Sequence, residues 1–164
     1  MNEPYEAVKD KYLISTDKEK LDVEIIYNYI AVESYWAQGI PRVVVEKSIA
    51  NSLCFGLYEE TKQIGFARLV TDKATFAYLA DVFVLPEHRG KGLSKWLMAT
   101  IHAHPELQNL RRWWLGTKDA HGLYEQFGWT RITEDLAKRF MQKHNPDVYK
   151  NNLPPSDPPG PGEK

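Results

Sequence analysis

A chain of 164 residues is long enough for one domain with a real core, and 43% hydrophobic with 26% charged residues is a globular balance. A formal net charge of −1 and the lack of a long basic run argue against nucleic-acid binding. The single cysteine, Cys54, excludes an internal disulfide. No signal peptide or membrane-length apolar run is read, so the expected setting is cytoplasmic, with no membrane partner.

The N-terminal stretch is polar, with a short strand expected at Tyr12–Ser15. From Leu21 the apolar residues Leu21, Ile25, Tyr29, Val32 and Trp36 form the stripe of an amphipathic helix. It should fray around Ser34, before Gly39. Pro41 suits the first turn of a second helix, whose face is Val44, Val45, Ser48 and Ile49. Leu53–Glu59 and Ile64–Thr71 read as a hairpin, with Cys54 as a small buried hydrophobe inside it. Phe76–Leu85 is the next strand.

That strand runs into Asp81–Ser94, DVFVLPEHRGKGLS. Val82, Phe83 and Val84 are apolar and β-prone, and Pro86 ends the ladder because it has no N–H to donate. Arg89, Gly90, Lys91 and Gly92 then open directly into an amphipathic helix. Glycines admit close backbone approach, and the unpaired N–H groups of a helix start, here Leu93 and Ser94, suit an anionic phosphate. Arg89, Lys91 and Lys95 add positive charge. From two glycines alone, an ordinary strand–helix connection is an equal reading.

The following helix carries Leu93, Trp96, Leu97, Ile101 and His104 on one side, with Pro105 near its end. Arg112–Gly116 is a further strand. Ala120, Leu123 and Phe127 line a short helix, with Asp119 as its N-cap and Gly128 closing it. Trp129–Thr133 reads as a strand, and Phe140–Tyr149 as a last edge segment. Beyond Asn151 the Pro/Gly-rich composition reads as a disordered tail, so residues 1–150 are the expected domain and 151–164 the tail. The element order gives an α+β fold with a mixed, mostly antiparallel central sheet flanked by helices. His102 and His104, two apart on a helix, cannot share one metal ion, and no metal is expected.

Two motifs together resemble a known family. Val84-x-x-x-x-Arg89-x-x-Gly92-x-Ser94 resembles the acyl-CoA signature of the GCN5-related N-acetyltransferases. Thr117-x-x-Ala120-x-x-Leu123-Tyr124-x-Gln126-x-Gly128-Trp129 resembles their second motif. The resemblance spans roughly Tyr12 to Thr133. Ser94 stands where glycine or alanine is usual, and Thr117 where asparagine is usual.

The resemblance implies acetyl-CoA as acyl donor and a primary amine of a small molecule or peptide as acceptor, in a monomer or homodimer. It implies that the pantetheine arm lies along Val82, Phe83 and Val84 like an added strand. The pyrophosphate would rest on Arg89, Gly90, Lys91, Gly92, Leu93 and Ser94, and Thr117 would face the cofactor. Tyr124 matches the family's general acid. Asp81 is the first candidate for the base and His121 the second. For each, a structural or surface role is the alternative reading. Tyr35 and Trp36 fall where the family holds its acceptor. A non-catalytic CoA-binding module, or an acyltransferase using another acyl chain or acceptor, is the competing function.

Overall fold

The computed structural model describes residues 3–150. They form six strands, β1 (Glu6–Lys9), β2 (Tyr12–Ser15), β3 (Leu53–Glu59), β4 (Lys62–Thr71), β5 (Phe76–Val84) and β6 (Arg112–Leu115). Five α-helices accompany them: α1 (Val23–Asn28), α2 (Arg42–Ala50), α3 (Leu93–His102), α4 (His121–Glu125) and α5 (Glu134–Ala137). The described residues fall into two compact units, one of residues 3–22 with Ser48–Ile132 and one of Val23–Lys47 with residues 133–150.

The first unit holds one sheet in the order β1-β2-β3-β4-β5-β6. Every neighbouring pair is antiparallel except β5 and β6, which run parallel. The parallel step is forced by α3, whose crossover returns the chain to the same end of the sheet. This is the expected mixed, mostly antiparallel α+β sheet. Leu93, Leu97, Met98 and Ile101 of α3 pack on Phe55, Leu57, Leu69, Ala77 and Leu79 of the sheet. Each such fully buried side chain contributes about 1.5–3 kcal/mol. Leu93, at the first turn of α3, anchors the helix start in this core.

The strands β2 to β6 and helices α2 and α3 follow the sequence reading closely. Others depart from it. β1 is an edge strand of mostly exposed residues, EAVK, with no apolar run to announce it. Trp129–Thr133 forms no strand, and Thr133 instead caps α5, its Oγ accepting the Leu136 N–H at 3.2 Å. Nor is Phe140–Tyr149 a strand; it is turns and irregular chain. α3 stops at His102, and His104 lies beyond it, its Nδ1 accepting the Glu106 N–H at 3.2 Å.

In the second unit α1 passes into a π-helical turn, Tyr29–Glu33. Ile26, Tyr29 and Ile30 are buried at ordinary helical spacing, and across the inserted residue Ser34 is buried next while Val32 is exposed. The expected tail lies outside the described residues. Among the described residues, no helix is long and apolar enough to cross a membrane.

Candidate active site

The site begins with a defect in the sheet. Leu69 faces Leu79 and Arg68 faces Ala80, but the next pair is Phe66 with Phe83. Ala67 therefore opposes two residues, Asp81 and Val82, which is a β-bulge on β5. Asp81 sits at φ 53°, a left-handed conformation that aspartate tolerates better than most residues. Its Oδ2 accepts from Arg68 Nε at 2.8 Å, and Arg68 Nη1 donates to Ser52 Oγ at 3.1 Å. Both charged side chains are largely buried. Arg68 thus pins the bulge from the adjacent strand.

Just before the bulge, β5 loses β6. Their parallel register runs from Phe76 with Arg112 to Leu79 with Leu115 and stops there. The edge of Val82–Val84 that faces away from β4 therefore lies outside the ladder. The Leu85 N–H donates to Ile64 O at 2.8 Å, so residues 85 and 83 point their polar groups at β4. By alternation, the Val84 N–H and C=O point to the other side. The Val84 carbonyl there accepts Arg89 Nε at 2.9 Å, joining the strand to the glycine loop.

Gly90 and Gly92 have φ of 78° and 75°, so glycine is required at both by conformation. A Cβ at either would meet no atom within 4 Å, so the space above the loop is open. Gly92 is the N-cap of α3 and supplies no side-chain acceptor. The first helical bond is Trp96 N–H to Gly92 O, at 3.1 Å. The N–H groups of Leu93, Ser94 and Lys95 thus have no acceptor within the helix. Arg89, Lys91 and Lys95 are exposed around them. Donors, open space and positive charge together fit a pyrophosphate.

Beyond β6, the Thr117 Oγ accepts the Ala120 N–H at 3.0 Å, and Ala120, not the expected Asp119, is the N-cap of α4, with no side-chain cap bond. Gly128, at φ 84°, ends that turn, and the Trp129 N–H returns to the Tyr124 carbonyl at 3.3 Å. Tyr124 is buried, 8% exposed. A cavity of about 350 Å³ is lined by residues 113–117, His121, Tyr124, Glu125 and 129–132. It brings Thr117, His121 and Tyr124 together. Asp81, Val82, Phe83 and Val84 follow one another along the bulged end of β5, and the Arg89–Val84 bond joins them to the loop residues.

Two features were missed by the sequence reading. Arg68 carries no motif, and only the opposite charge of Asp81 on the neighbouring strand hints at it. Trp129 reads from sequence as the start of a strand, yet its Nε1–H donates to His102 Nε2 at 3.0 Å. Within the second unit, Tyr35 and Trp36 meet edge to face, centroids 5.1 Å apart and planes at 89°. They are half-exposed on a connection braced by Ser34 N–H to Tyr29 O and Gly39 N–H to Ala31 O. Among the described residues, no cluster of three or more His, Cys, Asp or Glu can hold a metal ion.

The acetyltransferase (GNAT) domain family matches residues 50–131. A presumed acetyltransferase of Gibberella zeae is 32% identical over 144 residues, covering 76% of this chain and 81% of that protein. The crystal structure of a presumed GNAT-family acetyltransferase from Xanthomonas campestris pv. campestris is 46% identical, with a TM-score of 0.81. That match covers 84% of this chain and 96% of the other. A GNAT-family acetyltransferase from Elizabethkingia anophelis, solved with acetyl-CoA bound, shares the fold at 15% identity and a TM-score of 0.58, covering 89% and 87%. The paired motifs, the bulged strand parting from its parallel neighbour and these relatives agree: the chain belongs to the GNAT acetyltransferase family.

Proposed function

We propose that this protein is an acetyl-CoA-dependent N-acetyltransferase that moves an acetyl group to a primary amine by direct attack in a ternary complex. The observation that carries this reading is the parting of β5 from β6 directly beside an open, glycine-built helix start. An extended pantetheine arm is amide-bearing and pairs with a strand edge as another strand does. Bound acetyl-CoA supplies the acyl group as a thioester. The relative solved with acetyl-CoA supports that donor.

The chain's own groups then have distinct tasks. The N–H groups of Gly92, Leu93 and Ser94 hold the pyrophosphate, with Arg89, Gly90 and Lys91 shaping the loop and Thr117 bordering the cofactor path. The Val84 N–H donates to the thioester carbonyl oxygen as negative charge develops there. Tyr124 Oη gives its proton to the departing sulfur, because a phenol is ordinarily protonated at neutral pH. Asp81 takes the amine's proton, directly or through water, while its ion pair with Arg68 holds the bulge. A C–N bond forms, the C–S bond breaks, and one proton leaves the amine as another reaches the thiolate.

The family resemblance assigns the acceptor to Tyr35 and Trp36, whose aromatic rings suit an amine's carbon skeleton. A panel of primary amines with acetyl-CoA, read by release of free thiol, tests the reading. Amine-dependent release supports it. Tight CoA binding without release to any amine would favour a CoA-sensing module.

A further inference from the structure

His102, the last residue of α3, is walled by aromatic rings: Trp113 at 4.8 Å, Trp129 at 6.0 Å and Phe127 stacked at 6.0 Å and 22°. An indole nitrogen only donates, so His102 Nε2 is the acceptor of the 3.0 Å bond from Trp129 Nε1. The imidazole is therefore neutral, with its proton on Nδ1. Burial pushes His102 below the usual histidine range, with no neighbouring charge contributing. The rings facing it from β6 and from the segment after α4 do not titrate, and from beyond α3 Gln108 Nε2 touches only its backbone carbonyl.

Trp129 in turn packs on Tyr124, ring centroids 5.9 Å apart, and edge-on to Trp113 at 6.0 Å. All three line the 350 Å³ cavity. We infer that His102 is a positioning residue: its neutral imidazole holds the Trp129 indole against Tyr124 and so fixes the cavity wall, and protonation at Nε2 releases it. A proton there sets N–H against N–H and removes the only acceptor the bond has. The kinetic consequence rests on Tyr124 acting as the acid. The site is then assembled at neutral pH and loosens as pH falls below about 6.5.

The test follows indole N–H and tyrosine ring resonances of the intact protein from about pH 8 to about pH 5, spanning the histidine range. Trp129→Phe and Tyr124→Phe assign the signals. The Trp129 signal should titrate with a midpoint below about 6.5, and the Tyr124 ring should move with the same midpoint. His102→Gln, whose Oε1 still accepts but does not titrate, should flatten both. In acetyl transfer, His102→Leu should lower kcat about tenfold with KM for acetyl-CoA within about twofold. His102→Gln should restore most of the rate and lose the acid limb.

A Trp129 signal that does not titrate, or one that titrates while the Tyr124 ring stays still, overturns the inference. Should His102→Leu not fold, the parent and His102→Gln titrations decide alone. If both signals titrate but the rate does not follow, the lock stands and Tyr124 leaves the chemistry.

Discussion

Arg89 reaches back from the glycine loop to donate its Nε to the carbonyl of Val84, 2.9 Å away. One bond thus ties the glycine loop to the strand residue whose N–H faces the parted edge. Arg89→Met keeps the stem and removes the tie. CoA affinity should fall about tenfold, a loss near 1.4 kcal/mol, with little change in unfolding. Calorimetric titration against a melting curve separates the two effects.

Gly92 combines a left-handed backbone with open space where a side chain would go. Gly92→Val should cost about 1–2 kcal/mol of stability from backbone strain alone. It should also abolish CoA binding by filling the approach to the helix N–H groups. Lys95→Ala, which leaves the backbone donors in place, should weaken binding only modestly, and more at low salt. A folded Gly92→Val protein that binds CoA like the parent removes the phosphate-loop reading.

The Arg68–Asp81 pair makes Asp81 testable in two ways. Asp81→Ala loses the ion pair and places a poorly suited residue at φ 53°, so urea unfolding should report about 2–4 kcal/mol of destabilisation. Asp81→Asn keeps an acceptor for Arg68 and tolerates that backbone. If Asp81 takes the amine's proton, the rate deficit of Asp81→Asn shrinks as pH rises toward the amine's own pKa of about 10. A deficit equal at every pH leaves Asp81 only the bulge.

Much of this site was legible as local chemistry. The run Val82-Phe83-Val84, the proline stop, the two glycines and the helix behind them are each short-range signals, and they formed the elements expected. The bulge was not legible, because it exists only in the register between β4 and β5. The expected strand at Trp129–Thr133 failed for a related reason. Its residues are β-prone, but β6 is not paired with it, and Trp129 is instead directed to His102. The buried face after Val23 is Ile26, Tyr29 and Ile30 rather than Ile25 and Val32, and the π-helical turn at Tyr29–Glu33 then interrupts the 3.6-residue period that the apolar stripe assumed.

Histidine burial sets a pH dependence of stability. His102 and His104 are both lowered, chiefly by burial, so the folded state binds fewer protons than the unfolded chain. Their contribution is present above about pH 6.5 and is lost as pH falls through the lower folded values. The urea midpoint should therefore drop between about pH 7 and about pH 5. His102→Gln should remove part of that slope. The Asp72 carboxylate, held low first by the Thr75 hydroxyl and then by the N–H groups of Thr75, Ala74 and Phe76, titrates far below this window.

Tyr124 is the group proposed to protonate the leaving thiolate. Tyr124→Phe keeps the ring beside Trp129 and deletes only the hydroxyl. Single-turnover acetyl transfer, in which product release cannot mask chemistry, is the direct measurement. The rate should fall about 10²–10⁴-fold while CoA affinity changes far less. A Tyr124→Phe enzyme that turns over at the parent rate would contradict the account.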